Sequence, residues 1–283
     1  MPASRTAGRC YIAPMNPIDR SSLVATTRRA LEHSPDVDAA WEGGSAAFAA
    51  LDEYSDVDVV AVVADHALGA SFRAVEAGLE ALSPVALRHE VAGAAGYSQR
   101  FYRLRDASEF LVLDLVLIRR SDPLLFREVE LHGRGEVWFD RTGVLGEAHL
   151  DAPTDLELAR SRVPALRASF ALFQHIPTKE RLRGRAVEAL HFYQAMTLRP
   201  LVEALRLLHC PQRRGFGIRY LARDLPADAC ARIEELSFVR DLADLALKHE
   251  QAQQWFWQTL EILERCGPGG QALPGAGDAI AGC

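Results

Sequence analysis

The chain has 283 residues, 49% of them hydrophobic and 25% charged, a balance that excludes a disordered or fibrous polymer and leaves room for two domains of ordinary size. No apolar run reaches the roughly 18 residues a membrane helix needs, and the opening MPASRTAGRCYIAPMNP has no stretch of signal-peptide type. The net charge of −6 falls on the first half: residues 1–150 carry 15 Lys and Arg against 22 Asp and Glu, the remainder 17 against 16, which argues against duplex DNA as a partner and suits plain solubility, a metal or a cationic small molecule.

In chain order, residues 1–15 read as a flexible leader, with Met15 a second candidate start. Asn16–Ser34 has helical spacing on Ile18, Leu23, Val24 and Leu31. Val37–Trp41 is a short strand, and Gly43-Gly44-Ser45 turns the chain, with Ser45 capping a short helix through Leu51. Val57–Val63 is β-branched and nearly all apolar, as expected of a central strand. Leu68–Leu82 reads as a helix that stops before Pro84. Val85–Val91 is a third strand, and Tyr97–Arg105 and Phe110–Ile118 form a hairpin around Asp106-Ala107-Ser108. Val137–Phe139 adds an edge strand. This is an α/β, or α+β, domain with a mixed sheet.

From Thr154 onward the apolar spacing is helical. Segments 154–174, 179–209, 216–223, 226–247 and 249–265 read as helices, with Pro200 kinking the second. The expected organisation is a mixed-sheet domain over 16–150, an all-α bundle over 151–266 and a flexible Gly/Pro-rich tail over 267–283. The five cysteines (Cys10, Cys210, Cys230, Cys266, Cys283) show no C-x-x-C spacing, and read as reduced thiols in a cytoplasm with no zinc site.

The stretch GGSAAFAALDEYSDVDVVAVV carries the chemistry. Asp56 and Asp58 are two apart at the start of a strand, so they share a face. Two like charges there repel each other and lose hydration. A divalent cation offsets both costs, because hard carboxylate oxygens are the ligands Mg²⁺ takes. The glycines just upstream let a backbone approach a phosphate closely, and the helix after them would turn free N–H groups toward an anion. Asp114 is a lone acid in the apolar run FLVLDLVLI. It is placed either to join the same metal pair or to bond one of Arg103, Arg105, Arg119 and Arg120. Glu90 is the alternative third carboxylate or base.

This stretch resembles the signature of the nucleotidyltransferase superfamily that includes DNA polymerase β: an apolar-Gly-Gly/Ser turn, about a dozen residues, then Asp-apolar-Asp on a strand. The order of elements across 35–120 resembles it too. The following helical half makes the architecture similar to aminoglycoside and lincosamide nucleotidyltransferases and to small stand-alone nucleotidyltransferases. The resemblance implies a Mg²⁺-dependent enzyme with two metal ions held by Asp56, Asp58 and Asp114, and Gly43, Gly44 and Ser45 on the triphosphate. The reaction it implies is transfer of an NMP from an NTP, ATP first among them, to a hydroxyl of a small-molecule acceptor. Antibiotics are one acceptor class; another metabolite, a protein or an RNA end are the others.

Two further readings stand beside it. Arg185 and His191 fit the loose Arg–His spacing of HEPN ribonucleases that accompany small nucleotidyltransferases in toxin–antitoxin systems, and a non-catalytic nucleotide-binding module would use the same fold. Tyr193, Arg199, Arg219 and Tyr220 are either ligand contacts or ordinary bundle residues. Trp255, Phe256 and Trp257 are expected to pack the last helix onto the bundle. There is no GxxxxGK[ST], HExxH or GxSxG.

Overall fold

The computed structural model describes residues 18–91, 96–122 and 126–270. The chain divides into two compact units between His149 and Leu150. The first opens with α1 (Arg20–Glu32), capped by Asp19, whose carboxylate accepts the Ser22 N–H at 2.7 Å. Asn16 and Pro17, where the sequence starts this helix, lie outside the described residues. Then come β1 (Val37–Glu42), β2 (Val57–Val63), α2 (Leu68–Leu82), β3 (Val85–Val91), β4 (Tyr97–Leu104), β5 (Leu113–Arg119), the short α3 (Val129–His132) and β6 (Glu136–Asp140).

The six strands form one sheet in the order β3-β4-β5-β2-β1-β6. Only β2 and β5 pair in parallel; the other pairs are antiparallel. Alternation along β2 sends Val57, Val59, Ala61 and Val63 into a core with Leu23 and Leu31 of α1 and Phe72, Val75 and Leu79 of α2. The opposite face carries Asp58, Val60 and Val62. Its far end is covered by a smaller cluster in which Phe126, Val144 and Leu145 pack on Trp41, Val62 and Ile118. A mixed sheet with helices on one face follows from this pattern, as the sequence predicts.

The second unit is helical: α4 (Ala152–Phe173), α5 (His175–Leu182), α6 (Ala186–Tyr193), α7 (Arg199–His209), α8 (Leu221–Asp224), α9 (Ala227–Ser237) and α10 (Leu242–Cys266). Phe170 and Phe256 stack with centroids 3.5 Å apart, and Trp257 meets Phe170 edge-on at 5.5 Å, so the WFW cluster packs α10 onto α4. Pro200 acts as expected and the chain accommodates it locally. It removes the N–H that would reach the Met196 carbonyl, the backbone widens into a π-turn over Gln194–Leu198, and the buried Gln174 amide donates to that carbonyl at 2.8 Å.

Three expectations need correction. The segment 179–209 breaks at Gly184, whose φ of +72° no other residue adopts cheaply. The last two helices divide at 238–241, not at 248, because Asp241 caps α10 by accepting from Ala243 and Asp244. The cysteines are not all thiols: Cys266 is disulfide-bonded, while Cys210 and Cys230 are free. Linear spacing does not reveal which sulfurs a fold brings together. Among the described residues no helix is long and apolar enough to cross a membrane.

Candidate active site

The sheet topology brings the predicted acids to one strand end. β2 and β5 run parallel with Asp58 opposite Asp114, so the two carboxylates leave neighbouring strands, about 4.8 Å apart, on the same face. Asp56 lies two residues before Asp58, just ahead of β2. β1 runs antiparallel to β2 and delivers Gly43-Gly44-Ser45 to this same end, where the Gly43 N–H donates to the Asp58 carbonyl at 2.8 Å.

Gly44 is required by geometry. Its φ is +55°, and a Cβ there would stand 1.8 Å from the Asp58 Oδ2. The turn therefore lies directly against the carboxylate. Gly43 has no such neighbour within 4 Å. The helix expected after the turn is only a three-residue 3₁₀ segment, Ala46–Phe48, ended by Ala49 in the left-handed region, and the Ser45 side chain does not cap it. The predicted run to Leu51 is thus too long, and so short a segment adds little dipole. What remains for an anion is the turn itself, whose Gly44 and Ser45 N–H groups donate to no backbone carbonyl among the described residues.

The electrostatics are those of a crowded acid cluster. Burial pushes the Asp114 carboxyl up to about 6, helped by the Asp58 and Asp56 charges and opposed by a hydrogen bond from Gln99. Burial also raises Asp58, with Asp56 and Glu42 adding repulsion against a smaller pull from Arg20. Asp56 is raised by burial against the Val112 backbone N–H. No Lys or Arg forms an ion pair with any of the three among the described residues. The partner of Asp114 is not one of the four arginines near it in sequence. It is Gln99, whose Nε2 donates to both Asp114 oxygens at 2.8 and 2.9 Å. Arg120 instead holds the buried Asp38 at 2.6 Å, and Arg105 pairs with Asp106 at 3.3 Å.

Glu90 is placed elsewhere. It pairs in register with Arg100, which is opposite Leu115, and that row faces α2. There Arg100 bonds Glu90 and Glu76 and lies 4.1 Å over the Phe72 ring. Asp58 and Asp114 point from the other face. A one-residue difference in register decides the side.

Hard oxygen donors crowded at one strand end, with Asp58 raised in part by Asp56 and Asp114 in part by both, and none ion-paired with Lys or Arg among the described residues, fit a divalent ion of the Mg²⁺ kind. They are not a closed cage: among the described residues no three His, Cys, Asp or Glu side chains are grouped to hold a metal. Mg²⁺ asks for less, since it keeps several waters and takes one or two carboxylates with substrate phosphates.

The remaining sequence candidates do not assemble a second site. Tyr193 is fully buried with its hydroxyl on the Leu236 carbonyl at 2.9 Å. Arg219 lies 5.2 Å over Phe216, and Arg223 lies 4.4 Å over Tyr220. Arg185 pairs with Glu180 at 3.2 Å ahead of α6, and His191 is six residues on, about 240° around the helix, so the two are not brought to one face. The residues that sequence reasoning missed are Gln99, the Arg20–Glu42 pair beneath the turn and, in the second unit, the buried Arg206–Asp224 pair.

No protein-family model matches the chain, and no curated protein matches it. Solved structures do. Nucleotidyltransferases are among the solved structures it is similar to. An aminoglycoside 6-adenyltransferase from Bacillus subtilis is 11% identical, over 86% of this chain and 90% of that one, with a TM-score of 0.37. A nucleotidyltransferase-like protein from Exiguobacterium sibiricum is 13% identical, over 88% and 76%, also at 0.37. The STING-associated CdnE c-di-GMP synthase from Capnocytophaga granulosa is 12% identical, over 85% of each chain, at 0.27. At these scores the weight of any function rests on the strand-end carboxylates themselves.

Proposed function

We propose that the chain is a Mg²⁺-dependent nucleotidyltransferase that moves a nucleoside monophosphate, AMP first among them, from an NTP to a hydroxyl of a small-molecule acceptor. Residues 16–150 would carry the chemistry and 151–266 a helical domain. The carrying observation is the Asp58–Asp114 register pair, with Asp56 beside it and the Gly43-Gly44 turn packed against it.

Asp56 and Asp58 would hold the metal ions, with Asp114 completing the set. Bound there, two Mg²⁺ ions supply charge neutralisation at the attacking and leaving oxygens of an in-line displacement. The chain's own part is positioning. The N–H groups of Gly44 and Ser45, with the Ser45 hydroxyl, would hold the triphosphate, and because Gly44 lies against Asp58 the phosphates are held beside the carboxylates. The acceptor oxygen attacks the α-phosphorus, the bond to the β-phosphate oxygen breaks, and pyrophosphate leaves with that electron pair. The hydroxyl proton passes to Asp114, the third carboxylate of the strand end, which lies in register with Asp58. The acidic first half supports a cationic acceptor, aminoglycosides and lincosamides being the classes to try first.

Labelled ATP tests the bond that breaks. Label on the α-phosphate is expected in a modified acceptor, and label on the γ-phosphate in pyrophosphate. Transfer of the γ-label to the acceptor would mean phosphoryl transfer and would overturn the reading.

A further inference from the structure

We infer that Gln99 is the positioning residue of the third carboxylate: its side-chain amide fixes the orientation of Asp114 on the face it shares with Asp58, and Asp114 receives a divalent cation well only while that amide is present. The inference rests on the nucleotidyl-transfer reading of the carboxylates.

Gln99 lies on β4 opposite Val116, which puts it diagonally across from Asp114 on the same sheet face, a separation a long side chain spans. One amide nitrogen reaches both Asp114 oxygens, at 2.8 and 2.9 Å, and the Gln99 side chain makes no other hydrogen bond among the described residues. Holding Asp114 is thus the one polar task visible for a half-buried glutamine between Tyr97 and Phe101 on that face. Asp114 stands between the fully buried Leu113 and Leu115, so nothing else polar in its strand orients it.

The type of residue matters. An ionised carboxylate offers about four lone-pair sites and the amide supplies at most two hydrogens, so accepting capacity remains for a cation. The amide is neutral and leaves the negative charge of Asp114 in place. An Arg at this position would neutralise the charge and claim both oxygens in bidentate fashion. Carboxylates that bind metal are themselves held by hydrogen bonds, and removing such a partner typically costs about 10- to 100-fold in metal affinity or activity.

The test is Mn²⁺ titration of the nucleotide-free full chain, read as the free-ion signal in electron paramagnetic resonance, for wild type, Gln99→Met and Asp114→Asn. Gln99→Met keeps the length and loses the donor. Expected are Mn²⁺ binding weaker by about tenfold or more and a similar fall in kcat, with KM for the nucleotide within about threefold. A residue that merely filled space would leave Mn²⁺ affinity alone. If Gln99→Met does not fold by circular dichroism, Gln99→Asn, which keeps the amide but draws it back, is read with the same expectation. Wild-type Mn²⁺ affinity in the Gln99 variant, with affinity lost in Asp114→Asn, overturns the role of Gln99 and leaves the carboxylate reading standing. Wild-type affinity in Asp114→Asn overturns both.

Discussion

A single side chain, Asp114, combines the properties the proposed chemistry needs. It is half-buried, raised to about 6, and paired with an amide instead of a cation. Its sign in stability is fixed by that raise. Between the unperturbed 3.8 and about 6 the folded chain holds a proton that the unfolded chain has lost. The stabilisation is therefore complete below about pH 4 and is lost as pH rises through 6. Asp56 and Asp58, also raised, act in the same direction. The metal-free protein is expected to lose stability from pH 4 to 7, with a flatter profile in Asp114→Asn and with Mg²⁺ restoring stability above pH 6. Urea unfolding at each pH checks it; a profile unchanged in Asp114→Asn would remove Asp114 as the source. Gln99 was not legible in the sequence, because its contact depends on which strand neighbours which and in what register. Asp58 and Asp114 could be read as acids out of place in apolar strands, with Asp56 just ahead of β2, but that Glu90 lies on the other face of the sheet depends on the same register.

The turn after β1 sets two predictions at the scale of an element. Gly44→Ala would force a methyl group to 1.8 Å from the Asp58 Oδ2 at a φ of +55°, whereas Gly43→Ala meets nothing within 4 Å. Gly44→Ala should weaken Mg²⁺–nucleotide binding and Gly43→Ala should leave the fold intact, as calorimetry and thermal unfolding of the pair will tell. Equal thermal midpoints for the two variants would contradict the packing described. Beneath the turn, Glu42 is almost fully buried and bonded to Arg20 of α1, which also reaches the Asp56 carbonyl at 3.4 Å. Arg20→Ala strands a buried charge; the cost for buried pairs is about 3–5 kcal/mol, and with Arg20 a quarter exposed the lower end is expected in urea unfolding. Strand β2 and helix α2 could be read because a β-branched apolar run marks the one and helical spacing ending before Pro84 the other. The short segment after Ser45 could not, since its helical pattern is local and the left-handed Ala49 ends it. The α9–α10 division was visible only in the Ser-Phe-Val-Arg-Asp stretch, where Asp241 makes the cap.

Across the whole chain, each unit closes a core of its own, and the helical one is fastened by groups the sequence did not advertise. Arg206 is completely buried, bonded to Asp224 at 2.7 Å and to the Gly217 carbonyl at 2.8 Å, and Arg213 and Arg223 share the same aspartate. Asp224→Asn leaves that guanidinium without its counter-charge, and a loss of about 3–5 kcal/mol is expected in urea unfolding followed by tryptophan fluorescence. A change under 1 kcal/mol would assign the fastening to the surrounding carbonyls. A buried Arg–Asp pair 18 residues apart resembles a surface pair in sequence, because periodicity reports the apolar face and says nothing of polar groups buried with it. The two unit types were legible: an acidic mixed-sheet unit, followed by helices. The claim on which the rest depends is that the strand-end carboxylates drive nucleotidyl transfer. Pyrophosphate release from each NTP with Mg²⁺, with and without aminoglycosides and lincosamides, tests it most directly when run beside the Asp56→Asn/Asp58→Asn double variant. Acceptor-dependent release from the wild type, abolished in the double variant, is the predicted result. Release that persists undiminished in the double variant would contradict the account.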